Sequence, residues 1–404
     1  MSDRYRRRLK IAYVYDALYP HLMGGAERRF HELAQRLADR HDVHYITWTF
    51  WDGPSETTRD GVVLHGVGTP ERMYGADGKR TVREAISFAA RIMPAIRGGR
   101  YDVIDCSATP YVPLYSCWLA ARTTRTPVVA TWHEFWGEHW EEYLGHRGKV
   151  ARVARSTEAR AIRLGDRQVA VSAFTADRLT DAGLPEERIQ IVGNGLPLEE
   201  FEAAHSSLVT SDVVFVGRLI EDKRVDLLID AVASLRAEFP TLRCLVIGDG
   251  PERPRLEAQV AALGLGQQVW FLGHVIEAEK LCLLKASRIL VLPSVREGFG
   301  IAAVEGQAAG LVPIVIRSPF SAAPGLIRDG VDGLVCDPTV DALAAAVRSL
   351  LADQFRMHLM RTEATAAAKR WDWDRVALEM ERVYLDVARP EESPRAHLRR
   401  LSWR

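Results

Sequence analysis

The sequence is poor in cysteine, in net charge and in long uncharged runs. Its five cysteines, Cys106, Cys117, Cys244, Cys282 and Cys336, are scattered, odd in number, and form no CxxC pair or metal-ligand spacing. A disulfide scaffold and a cysteine-built zinc site are not expected; buried free thiols in a reducing cytoplasm are. Lysine plus arginine and aspartate plus glutamate each total 53, so no global field advertises a nucleic-acid partner. The longest stretch without a charge runs from Cys106 to Ala121 and carries two prolines. That is short of the roughly 20 apolar residues of a membrane span, so a spanning protein is not expected. The N-terminus is basic and then briefly apolar, but Asp16 interrupts it and no small-residue cleavage site follows, so no signal peptide is expected. Neither a GxxxxGK[ST] loop nor a GxGxxG fingerprint occurs, which disfavours P-loop enzymes and dehydrogenases.

What the chain has is an ordinary globular composition, 47% hydrophobic and 26% charged, over 404 residues. That is more chain than one core usually serves, and two domains are expected. Apolar β-rich runs alternate with helical patterns along nearly the whole length, which indicates parallel α/β construction. Candidate strands in the first half are residues 10–15, 43–48, 62–67, 102–106, 128–132, 168–171 and 189–192. The pattern restarts at 213–216, 243–247, 269–272, 289–292, 312–316 and 333–335. Helices are clearest at 27–38, 225–237, 254–263, 301–309 and 342–351. A polar linker between Gly193 and Ser211 separates the two sets. The expected division is 1–193, 194–371, and a C-terminal helix with a polar tail over 372–404.

The most informative string runs from Ser294 to Pro313. It leaves an apolar run, passes a glycine-flanked loop and enters a helix near Ile301. Amides in such a loop and first turn have no intrahelical acceptor, and with the helix dipole they suit a phosphate or sugar hydroxyls. Glu297 falls in the loop and Glu305 just over one turn into the helix, where carboxylates accept bonds from vicinal hydroxyls of a sugar and of a ribose. Spacing alone favours helix capping and a solvated glutamate; the order of the surrounding segments reverses this in favour of a ligand. Upstream, a strand delivers Gly217, Arg218 and then Lys223. An arginine fork and a lysine point charge can neutralise a diphosphate from two sides, or serve structural ion pairs. Gly248 and Gly250 follow another strand and permit close backbone approach.

Together these segments resemble the family-four retaining glycosyltransferases of the GT-B fold. The matching pieces are Gly24-Gly25-Ala26-Glu27, Ala170-Val171-Ser172, Val192-Gly193-Asn194-Gly195, Gly217-Arg218-Leu219 with Lys223, and Gly248-Asp249-Gly250-Pro251-Glu252. Phe271-Leu272-Gly273, Glu297 with Glu305, and Gly330 with Gly333-Leu334-Val335 complete them, over residues 9–388. The resemblance implies an α/β protein of two Rossmann-like doubly wound domains facing a cleft, with the last helix crossing back to the first domain. It implies a metal-independent, cofactor-free hexosyltransferase using a UDP- or GDP-linked hexose and a sugar, glycolipid or other lipid-linked acceptor.

Carried over residue by residue, the resemblance implies that Gly24 and Gly25 approach the donor phosphate or the acceptor. Arg218 and Lys223 bind the diphosphate and stabilise the departing nucleotide, where negative charge grows. Glu297, helped by Gly298, Phe299, Gly300 and Ile301, holds the donor sugar, Glu305 binds the ribose, and His133 stands near the transferred sugar. No protein nucleophile is implied; the leaving phosphate accepts the acceptor's proton in a front-face attack. The sequence departs from the family pattern at Gly325, where an acidic residue is common, and at Arg224, where a glycine is. An epimerase of the same fold and a non-catalytic nucleotide-sugar-binding protein are the alternatives.

Other segments invite competing readings. Asp372-Trp373-Asp374 fits the letters of a DxD metal element but opens a helical pattern, where aspartates act as caps. His133 and His139 stand six apart, and a helical zinc motif needs four. Lys149, Arg152, Arg155, Arg160, Arg163 and Arg167 share a helical stripe, with Val150, Val153, Ala154, Ala161 and Leu164 on another. Either the apolar stripe packs on the sheet, or the helix lies on anionic lipid with help from Arg4, Arg6, Arg7, Arg8 and Lys10. The aromatic cluster Trp132, Phe135, Trp136, Trp140 and Tyr143 beside His133 suits an acceptor site or a core.

Overall fold

Continuous apolar runs build two separate parallel sheets. The computed structural model describes residues 8–73, 80–144 and 148–388, except the side chains of Glu142 and Tyr143. Arg4, Arg6, Arg7, the Tyr143 side chain and the tail after Pro390 therefore lie outside the described residues. The chain divides into two compact units, one formed by Met1–Asn194 with Trp373–Arg404, the other by Gly195–Asp372.

The first unit contains β1 (Lys10–Val14), β2 (Asp42–Thr47), β3 (Glu56–Arg59), β4 (Val62–Gly66), β5 (Val103–Ser107), β6 (Val128–Trp132), β7 (Arg167–Ala170) and β8 (Ile189–Ile191). They form an eight-stranded sheet in the order β3-β4-β2-β1-β5-β6-β7-β8, parallel throughout except for the β3–β4 pair. β5 and β6 are buried at every residue, as strands covered on both faces are, and their apolar runs are broken only by the buried Asp105, Ser107 and Thr131. β3 was not expected: Glu-Thr-Thr-Arg is a mostly exposed edge strand without apolar alternation. The helices are α1 (Gly25–Ala38), α2 (Val82–Gly99), α3 (Val112–Thr124), α4 (His139–Leu144), α5 (Gly148–Ala161) and α6 (Ala173–Asp181). The longest uncharged stretch is thus the end of β5 followed by α3, a turn of chain within the core and not a span.

The second unit contains β9 (Ser211–Val216), β10 (Cys244–Ile247), β11 (Val269–Gly273), β12 (Ser287–Leu292), β13 (Arg296–Glu297), β14 (Val312–Ile316), β15 (Phe320–Ser321) and β16 (Leu334–Cys336). Six of them form a parallel sheet, β11-β10-β9-β12-β14-β16, and β13 pairs with β15 alone. Its helices are α7 (Leu198–Ala203), α8 (Val225–Leu235), α9 (Arg253–Ala262), α10 (Glu277–Lys285), α11 (Ile301–Ala308), α12 (Val340–Ala352) and α13 (Gln354–Ala368).

α14 (Trp373–Val387) returns to the first unit. Val376, Ala377, Met380, Val383 and Tyr384 recur at helical spacing and are buried in the first core beside Tyr13, Phe30 and Trp132. Asp374, in its first turn, pairs with Arg36 at 2.7 Å. A second core gathers Phe215, Leu228, Val246, Val291, Ile314 and Val347. Among the cysteines, Cys106, Cys117 and Cys244 are buried free thiols, whereas Cys282 and Cys336 are only partly buried. The apolar stripe of α5 does not pack as one face: Ala151 and Ala161 turn inward with Glu158, while Val150 and Val153 are 50% and 62% exposed.

Candidate functional site

In the second unit β9 and β10 end side by side, and glycine is required there for steric reasons. A Cβ on Gly248, whose φ is +129°, would stand 1.9 Å from the Gly217 carbonyl oxygen. One on Gly250 would stand 2.3 Å from that of Leu219. The close approach that these glycines allow is therefore between two backbone segments of the protein. Arg218, two residues beyond β9, is exposed, and its side chain makes no hydrogen bond or ion pair among the described residues. A short 3₁₀ turn, Glu221–Lys223, then carries Lys223 back, and Arg224 leaves it in a left-handed conformation, φ +47°.

Lys223 Nζ donates to Glu297 Oε1, joining two residues 74 positions apart. Glu297 was expected in a loop; it lies in β13, whose partner strand fixes its backbone. The Ala322 amide donates to the Glu297 carbonyl at 2.8 Å, and the Val295 amide to the Asp222 carbonyl at 2.9 Å. Gly298 follows, and then Phe299 packs edge-on against Trp371 at 5.1 Å. Gly300, at φ +99°, caps α11 with no side-chain hydrogen bond to the first turn that Ile301 opens. A Cβ there would meet Ala323 at 3.0 Å. The result is a helix N-terminus, whose first amides have no acceptor within the helix itself, beside a lysine–glutamate pair, which suits an anion. Ser294, just after β12, keeps a buried hydroxyl with no hydrogen-bond partner among the described residues.

Glu305 lies in the second turn of α11 and is only 5% exposed. Lys280 of α10 donates to it at 2.8 Å and to Glu277 at 3.0 Å. Burial pushes the lysine's pKa down, but Glu305 and Glu277 more than offset this and hold it above its ordinary value. The structure thus gives each of the two glutamates its own lysine.

In the first unit Gly24 is the N-cap of α1, and a Cβ on it would collide with the Glu27 carboxylate at 2.3 Å. Gly25 faces open space. One turn on, Arg29 is fully buried and donates to the Gly193 carbonyl and, at 3.1 Å, to Asn194 Oδ1. His133, the residue after β6, packs against Phe30 with ring centroids 6.0 Å apart, and its Nε2 is buried without a partner among the described residues. Burial, with the Arg29 charge, lowers its pKa to about 3, so the imidazole is neutral. The loop beyond it is pinned by Glu158 of α5, which accepts from the Trp136 and Gly137 amides at 3.1 and 2.7 Å and from Trp140 Nε1 at 2.9 Å. Trp136 and Trp140 lie 4.7 Å apart, while Trp132 is wholly inside the core.

Sequence reasoning missed Lys280, Arg29 and Glu158. The only signal was the rarity of buried charge: nothing local marks which of many charged residues will lose contact with water.

Two doubly wound parallel-sheet units, the second with a glutamate-flanked helix N-terminus, define the GT-B fold. Anabaena Alr3699/HepE, solved in complex with UDP, superposes with a TM-score of 0.72 at 20% identity, over 93% of this chain and 99% of that one. The family model for Glycosyltransferase Family 4 matches residues 23–200, and that for Glycosyl transferases group 1 matches 200–371. The chain belongs to the group 1, family-four glycosyltransferases. It is 28% identical to a glycogen synthase of Mycobacterium tuberculosis, over 94% of this chain and 95% of that protein. It is also 28% identical to a D-inositol 3-phosphate glycosyltransferase of Thermobispora bispora, over 90% of each.

Proposed function

We propose that this glycosyltransferase moves a hexose from a nucleoside-diphosphate sugar to an acceptor hydroxyl with retention of anomeric configuration and without a metal ion. The observation that carries the reading is the pair of lysine–glutamate contacts, Lys223 with Glu297 and Lys280 with Glu305, flanking the uncapped N-terminus of α11. The donor diphosphate takes the amides of Gly298, Phe299, Gly300 and Ile301 together with Arg218 and Lys223. Glu297 holds the hexose hydroxyls and Glu305 the ribose. The bond between the anomeric carbon and the phosphate oxygen breaks, and a bond from the acceptor oxygen forms on the same face. The acceptor's proton passes to the leaving phosphate, whose growing charge Arg218 and Lys223 stabilise. His133, neutral and with Nε2 unsatisfied, offers a hydrogen bond to the transferred sugar rather than a base. The Gly24-Gly25 turn and the Trp136–Trp140 loop of the first unit serve the acceptor.

UDP-hexoses are the first donors to test, because HepE was solved with UDP and, separately, with UDP and glucose. The acceptor is a sugar or a lipid-linked sugar. For the latter, the exposed Lys149, Val150, Arg152 and Val153 of α5 supply cations and apolar atoms to an anionic leaflet. No helix among the described residues is long and apolar enough to cross a membrane. The test is donor cleavage and transfer across UDP- and GDP-hexoses in EDTA. One donor turned over in EDTA supports the reading; binding of none refutes it. Glu297→Ala should abolish transfer while nucleotide still binds, and Arg218→Ala should weaken both. A folded Glu297→Ala protein with wild-type transfer would overturn the assignment.

A further inference from the structure

Lys280 is a charged side chain that the transfer reaction as described leaves without a task. A lysine that serves only solubility keeps its ammonium in water and buries its stem. Here the ammonium is drawn beneath the surface, with only 13% of the side chain exposed, and divided between Glu305 and Glu277. Burying an ammonium is costly unless close countercharges compensate it, and two carboxylates within 3.0 Å do so.

We propose that Lys280 is the positioning residue of Glu305 and sets the site's preference for ribonucleotides over 2′-deoxyribonucleotides. This rests on the reading of Glu305 as the ribose carboxylate. An ionised carboxylate only accepts hydrogen bonds, so it recognises groups that donate, and the 2′- and 3′-hydroxyls of a ribose are such a pair. Lys280 occupies Oε1 and fixes the plane of the carboxylate, directing the remaining acceptor sites to one place. Glu277 holds the ammonium from its other side, so the lysine cannot follow Glu305 if the glutamate swings. Without Lys280, Glu305 is a nearly buried anion with no countercharge. Its lowest-energy course is to turn toward water or another cation, away from the hydroxyls. A nucleotide lacking the 2′-hydroxyl has less to lose by this change, and the preference collapses.

The test measures binding of UDP, GDP and their 2′-deoxy counterparts to the wild type, Lys280→Met and Lys280→Arg by calorimetry, with steady-state kinetics on the donor the wild type uses. The wild type should bind its ribonucleotide about tenfold or more tightly than the deoxy form, the range expected of a hydrogen bond to a charged group. Lys280→Met should lose most of that advantage while deoxynucleotide affinity stays within about twofold, with KM for the donor rising more than kcat falls. Lys280→Arg should restore most of the ratio. A folded Lys280→Met that discriminates as the wild type does overturns the role of Lys280 and leaves the nucleotide site standing. A wild type that binds nucleotide without discriminating overturns it too. A wild type that binds no nucleotide at all refutes the reading of the site itself. Should Lys280→Met not fold, Lys280→Leu carries the same test, since it too removes both the donor and the charge.

Discussion

His133 is held neutral inside the first unit, with a pKa of about 3 against about 6.5 for a free imidazole. The unfolded chain takes up a proton at this position below about pH 6.5, whereas the folded chain does so only near pH 3. Stability is therefore lost as pH falls through that window, by about 1.4 kcal/mol per unit at most. Asp105 and Glu84, raised by burial to about 6 and about 7, act in the opposite sense as pH falls. The His133→Phe variant isolates one contribution: urea denaturation at pH 7 and pH 5.5 should show it losing about 1 kcal/mol less than the wild type on acidification. At the same scale, the Lys223–Glu297 contact means that the lysine must leave a carboxylate to meet a diphosphate. Glu297→Gln should consequently bind nucleoside diphosphate at least as tightly as the wild type while transfer collapses, as calorimetry beside a transfer assay would show. Weaker binding would indicate that the two residues do not compete. The residue types at this site were legible, because glutamates, an arginine and a lysine stand at strand ends and helix starts. Their pairings were not.

Helices and strands were most legible where the period was strong. α1 begins two residues before its expected start and α11 ends one residue before its expected end. Polar β3 and two-residue β13 carry no such period, and only pairing to a neighbour makes them strands. α14 is fastened by Tyr384, whose hydroxyl donates to Asp105 at 2.5 Å, while Thr131 donates to the other carboxylate oxygen at 2.7 Å. Tyr384→Phe should cost about 1.5–3 kcal/mol, the range for a hydrogen bond to a charged group, measured by chemical denaturation. Arg224, where the family often has glycine, is left-handed. That conformation costs a side-chain-bearing residue about 1–2 kcal/mol. Glycine there would relieve it but lose the 3.1 Å pair with Asp226 and free the unfolded chain. Arg224→Gly should thus move stability by less than about 1 kcal/mol, in contrast to Gly248→Ala, whose Cβ has nowhere to go.

Each unit has its own core, and the Lys223–Glu297 and Lys280–Glu305 pairs lie wholly in the second. A ligand stabilises what it binds by mass action, about 2.7 kcal/mol at a hundredfold excess over Kd. Calorimetry should therefore resolve two transitions, and nucleotide should raise one of them; equal upward shifts in both would contradict this placement. Sequence by itself determined the parallel α/β class, because strands covered on both faces are mostly apolar, and it determined which charged residues stand at strand ends and helix starts. The tertiary structure alone decided that Glu297 meets Lys223 across 74 positions and Glu305 meets Lys280 across 25. It also decided that His133 is neutral and that Gly248 and Gly250 make room for backbone. Periodicity reports only which face of an element is buried. The partner of a charge, and the solvent it loses, depend on atoms contributed by elements distant in the chain.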